Sequence, residues 1–114
     1  MNNLEARRER FLKDSLPVRL GGLAANLARI GSFARNQSNS EAVKNLIEES
    51  KFFIEWTARE AEIETSARLA ELQIELALIE RLFENKWVSD ESRLQLGRQA
   101  KAWSKEVLES AGLI

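Results

Sequence analysis

No glycine or proline interrupts residues 41–87, and the only proline of the chain, Pro17, stands where a helix would begin. A single helix over that span would reach about 70 Å at 1.5 Å per residue. That is too long for one domain of 114 residues, so the segment has to fold back on itself. The best place for a break is Thr57-Ala58-Arg59-Glu60, a Thr-x-x-Glu pattern able to act as a capping box. No alternating strand pattern competes anywhere, and the fold class that follows is all-α.

Helical spacing organises the rest of the chain. A short helix is expected near 3–13, with Leu4, Phe11 and Leu12 to bury. Asp14-Ser15-Leu16-Pro17 reads as the next start, because proline is well placed in a first turn. Leu16, Leu20, Leu23, Leu27, Ile30 and Ala34 then step by fours and threes along one seam of a helix over 16–36. Gly21 and Gly22 each cost that helix up to ~1 kcal/mol relative to alanine, which predicts a tight crossing there. Asn36 to Ser40 is a loop, with Ser40 or Asn39 capping a helix over 41–56. Its apolar face is Val43, Leu46, Ile47, Ser50, Phe53, Ile54 and Thr57. Ser89 and two acids, Asp90 and Glu91, open a last helix over 90–111. Its seam is Leu96, Ala100, Trp103, Val107 and Ala111, and Gly112 with Leu113 suits its C-terminal cap. Four main helices in an antiparallel bundle, with a short extra N-terminal helix, form a single domain over 1–114.

The helix over 58–87 is the most informative. One seam is Ala61, Thr65, Leu69, Leu72, Leu76, Ile79 and Phe83. A second is Ile63, Ala67, Ala70, Ile74, Ala77 and Leu78. One neighbouring layer needs only one stripe. Two stripes place this helix either at the centre of the bundle or at a surface shared between subunits. Phe52 and Trp56 make a further i, i+4 aromatic ridge, either an interface or a surface covered by the first helix or the chain end.

Composition removes most chemistry. With no Cys or His there is no disulfide, thiolate, imidazole base or histidine metal ligand. A chain 44% hydrophobic and 31% charged is neither a disordered tail nor a membrane span, and no transmembrane segment or targeting signal is read, which makes the cytoplasm the default location. Seventeen cations against eighteen acids is a poor balance for a nucleic-acid binder. The charge is uneven: residues 1–35 carry seven cations and three acids, net +4, whereas 36–84 carry five and eleven, net −6. Arg7, Arg8, Arg10 and Lys13, beside Phe11, form a basic amphipathic stretch that nucleic acid or an anionic lipid surface would suit.

Carboxylates are the remaining acid–base groups. The all-helical nucleotide pyrophosphatases, which this chain resembles in size and class, hold magnesium through Glu-Glu-x-x-Glu followed by Glu-x-x-Asp. Here Glu48-Glu49 leads to Phe52 where that pattern needs glutamate, and no Glu-x-x-Asp occurs. Glu60 with Glu64 and Glu71 with Glu75 share faces, but such a pair needs a second helix to complete a magnesium site. Arg19, Asn26 and Arg29 are candidates for an anion site, or else for boundary hydrogen bonds to Glu48, Glu49 or Glu55. The expectation is a non-enzymatic interaction or regulatory module acting as a homodimer, possible contact with another protein, and no cofactor or metal. The interface candidates are Phe52, Trp56, Ile63, Ala67, Ala70, Ile74 and Leu78. The alternative is a carboxylate–metal (Mg or Mn) nucleotide-binding or phosphohydrolase-like enzyme using Glu48, Glu49 and glutamates of the long helix.

Overall fold

A computed structural model of the chain describes residues 3–114. Its helices are α1 (Asn3–Leu12), α2 (Leu16–Phe33), α3 (Ser40–Thr57), α4 (Ile63–Arg81), α5 (Phe83–Val88) and α6 (Asp90–Ser110). The four long ones run up, down, up and down. Ser104 Oγ donates to Ala24 O and Arg93 Nε to Ala34 O, so α6 runs antiparallel to α2. Arg19 to Glu60 and Asn26 to Glu49 tie α2 to the antiparallel α3 and the turn after it. Lys51 to Glu80 and Lys44 to Glu84 do the same between α3 and the α4–α5 segment, and Arg68 to Glu106 closes the ring between α4 and α6. The extents of 38 × 36 × 20 Å describe a slab two helix diameters thick.

Each seam delivers its side chains to one core. Leu20, Leu23, Leu27, Ile30 and Ala34 of α2 meet Val43, Ile47 and Ile54 of α3. Leu69, Leu72, Leu76 and Ile79 of α4 meet Leu96, Ala100, Trp103 and Val107 of α6 in the same cluster. Burying a side chain of this size contributes roughly 1.5–3 kcal/mol.

Local breaks are where the structure departs from the sequence pattern. The turn after Thr57 is present, as a 3-10 turn over Ala58–Glu60, but Thr57 makes no side-chain cap bond. Its hydroxyl is buried without a partner, and Glu60 is taken by Arg19. The next helix does not run unbroken to Trp87. It changes direction at Leu82, although Leu82 N still bonds Leu78 O and Lys86 N still bonds Leu82 O. No glycine or proline marks the kink. Contacts outside the helix hold it: Trp87 Nε1 donates to Gln37 O at 2.8 Å and Arg93 binds Trp87 O, while within α5 Phe83 stacks on Trp87 at 5.1 Å. Asn39 occupies the N-cap of α3 without a side-chain cap bond, because its amide turns back to Phe33 O. α2 accordingly ends at Phe33 rather than Asn36. At the far end Ser89 caps α6 through Ser92 N. Gly112, at φ +73°, lets its own N–H bond Glu109 O and that of Leu113 bond Leu108 O, a complete Schellman termination.

The tight crossing lies elsewhere than Gly21 and Gly22. A Cβ on Gly21 would meet only the Leu113 side chain, at 3.3 Å, and one on Gly22 would find Phe53 at 3.8 Å. The close approach is between Gly31 of α2 and Gly97 of α6. A Cβ on Gly31 would lie 2.4 Å from Lys101 Cγ and 2.9 Å from the Gly97 carbonyl oxygen. Overpacking of that kind costs about 1–3 kcal/mol, more than the ~1 kcal/mol helix propensity returns. Gly31→Ala is therefore expected to lower the melting temperature by several degrees, whereas Gly22→Ala raises it slightly. Thermal unfolding of the two variants side by side checks the contrast.

Candidate functional site

The outward face of α4 carries the second stripe. Leu69, Leu72, Leu76 and Ile79 point to the core, and the opposite side of the cylinder is left to solvent. Ile63 is 87% exposed, Ile74 63% and Leu78 52%; Ala67 and Ala70 are exposed and Ala77 is half-buried. Leu82, at the kink, extends the stripe. No described element packs over it, so these residues are not bundle core.

The stripe has an internal symmetry. Ile63, Ala67, Ala70 and Ile74 are spaced four, three and four, and the order Ile-Ala-Ala-Ile reads the same in both directions. Two alanines in the middle allow a second helix to approach at the short end of the 8–10 Å range of interaxial distances, with an isoleucine on each side. The flanks differ. Glu64 and Glu71 border the stripe toward α6, and Ser66 and Gln73 border it toward α3, where Gln73 Nε2 donates to Lys51 O.

The aromatic ridge is differently placed. Phe11 of α1 stacks on Phe53 at 4.2 Å and lies 5.6 Å from Trp56. Trp56 is buried, and Phe52, half-buried, stacks on it at 5.5 Å. Here α1 covers Trp56, which belongs to the joint between α1 and α3, while Phe52 stacks on it from the same helix; neither lies on the α4 stripe.

Arg19, Asn26 and Arg29 are also brought to different places. Arg19, buried, donates to both carboxylate oxygens of Glu60 at 2.8 and 2.9 Å and to Asp14 O. Asn26, buried, donates to Glu49 and accepts from Arg29, and Arg7 closes on the same Glu49. Arg19 and Asn26 are thus each held by an acid, at two separate places along α2. Glu71 and Glu75 both lie near Arg68, itself paired with Glu106 of α6, a long-range pair that helical spacing alone does not reveal. Among the described residues no three carboxylates converge as they would around a metal ion.

The Arg19–Glu60 pair makes a pH prediction. Hydrogen bonding from the Arg19 guanidinium, with its charge, holds the Glu60 carboxyl below the ordinary value of 4.5. A carboxyl depressed in the folded state lends stability above that ordinary value and loses it as pH falls through the lowered one. The melting-temperature gap between the parent chain and Glu60→Gln is thus expected to be constant at neutral pH and to close below about pH 4.5. A gap unchanged at acid pH would show that the carboxylate charge is not what the pair contributes.

The fold and this surface define the class: an up-down four-helix bundle with an unpaired apolar seam on its third long helix, in which no helix among the described residues is long and apolar enough to cross a membrane. Comparison with protein-family models, with curated proteins and with solved structures gives no match.

Proposed function

We propose that this chain is a non-enzymatic interaction module that pairs with a second copy of itself through the outward face of α4. The supporting observation is the exposure of the stripe, with Ile63 87% and Ile74 63% open to solvent on the side opposite the core. An isologous interface requires that a surface be complementary to itself, and the Ile-Ala-Ala-Ile order has that property. A two-fold axis midway between Ala67 and Ala70 sets Ile63 against the partner's Ile74 and each central alanine against the other. Contiguous exposed apolar surface of this kind marks interaction sites in soluble proteins.

The flanks give the pairing a signature. In an antiparallel helix pair about a two-fold axis, like flanks face each other, so Glu64 lies alongside the partner's Glu71. Salt screens that repulsion, and self-association tightens as ionic strength rises. A partner presenting a basic flank would bind more weakly under the same change. Light scattering over a dilution series tests the reading. A mass of twice 13.0 kDa that persists further into dilution at high salt is the expected result. A monomer at every concentration overturns it.

The carboxylate–metal alternative gains no comparable support, because Glu49, Glu60, Glu71, Glu75, Glu80 and Glu84 all lie beside cations.

A further inference from the structure

The crossing at Gly31 and Gly97 opens outward into a groove of about 220 Å³ lined by those two glycines, Leu94, Arg35, Arg98 and Lys101. Arg35 follows the end of α2, and Arg98 and Lys101 lie three residues apart on α6. No carboxylate lines the groove, and none of the three cations forms an ion pair among the described residues. Two other grooves that hold cations are mixed: Arg8 and Arg59 share one with Glu55 and Glu60, and Lys44 and Arg81 sit among Glu41, Glu48, Glu80 and Glu84; a third holds the single cation Lys86.

Three like charges around one concavity repel one another, and the fold brings them there with no carboxylate in the lining to offset them. The glycine contact also positions one of them. With no side chain on Gly31, the Lys101 stem lies directly over that residue, where a Cβ would be 2.4 Å from Cγ and 2.9 Å from Cε. The stem covers the floor and carries the ammonium to the rim. Such a groove selects an anion by charge. One phosphate monoester brings about −1.5 to −2 at neutral pH, short of three cations, whereas linked phosphates match them and offer several acceptor oxygens to the two guanidinium forks. From the convergence of these unpaired cations we infer that the α2–α6 groove binds a small ligand carrying two or more linked phosphate groups. The site is remote in sequence from the α4 stripe and does not depend on self-association.

Titration of the full chain with tripolyphosphate, followed through the backbone amide signals of Gly31 and Gly97, tests this. Saturable shifts at both glycines are expected, with orthophosphate binding more weakly. The triple variant R35Q/R98Q/K101Q should weaken binding about tenfold or more, while R8Q/R10Q/K13Q, with the same change in net charge, leaves it nearly unaltered. Equal losses in the two variants would mean a diffuse electrostatic field and overturn the site, as would shifts that never saturate. If the groove triple proves unfolded by circular dichroism, R98Q alone, altering one exposed side chain, carries the comparison. Anionic vesicles form a second arm: binding to them through the same three residues without competition by tripolyphosphate would assign the groove to a membrane surface instead.

Discussion

Replacing Ala70 and Ile74 together by glutamate is expected to yield a monomer with the helix content of the parent chain. Both positions are exposed, so the substitutions remove nothing from the core, and glutamate is a good helix former. In the two-fold pairing, however, they place four carboxylates within the apolar seam of the dimer. Loss of well-packed anchors at an interface centre costs about 2 kcal/mol each, and an ionised group buried without a partner costs more. Together these weaken association by about a hundredfold or more. Val18→Glu is the matched control, since Val18 is 56% exposed on α2 and lies off the stripe; it should leave the dimer intact. Sedimentation or light scattering at matched concentrations reads the outcome. A double variant that dimerises like the parent would exclude the α4 face as the interface. One that loses helicity would show that the stripe supports the bundle itself.

The largest loss of stability is expected at Arg93. This side chain is 5% exposed, and its guanidinium is shared among three parts of the fold. Nε donates to Ala34 O at 2.9 Å, satisfying the end of α2. One terminal nitrogen reaches Trp87 O at 3.2 Å and the other Asp90 Oδ1 at 2.7 Å. The Trp87 ring lies 5.7 Å from the guanidinium carbon. Arg93→Met keeps most of the volume but leaves two backbone carbonyls without this donor, a cost of about 1–3 kcal/mol per group wherever water cannot replace it. A total of about 2–4 kcal/mol would lower the melting temperature by roughly 10 °C or more in a domain of this size. Arg93→Lys should recover little, because one ammonium cannot span three acceptors fixed by a planar fork. Near-parental stability in Arg93→Lys would show that charge alone matters at this joint.

Much of the bundle was legible in the sequence, because helical spacing is strong wherever one face is buried. Each of the four seams read from spacing supplies core residues, and Ser89, Pro17 and Gly112 stand at the helix ends where their chemistry belongs. The kink at Leu82 was not legible. It has no breaker residue and is held by Trp87 and Arg93, whose partners Gln37 and Ala34 lie some 50 and 59 residues away. The glycines show the same limit. Gly21-Gly22 is conspicuous as a pair, yet the contact that requires the absence of a side chain joins two isolated glycines on separate helices. The double stripe on α4 was visible as a surplus of apolar faces, but only packing separates a central helix from an outward one. Arg35, Arg98 and Lys101 are ordinary surface cations in one dimension, and the groove that gathers them exists only once α2 and α6 cross.

The pairing of α2 with α6 also sets the order in which this chain can assemble. The hydrogen bond from Ser104 to Ala24 spans 80 residues, and the glycine crossing spans 66. Contacts that distant require a large loop to close before they stabilise anything, which slows folding relative to a bundle built from neighbouring hairpins. On a ribosome α2, α3 and α4 emerge before α6, and the α2 seam lacks its α6 cover until that helix is released. The contacts of the α2–α3 hairpin, Arg19 to Glu60 and Asn26 to Glu49, are open to the chain earlier, whereas those of α2 with α6 wait for α6.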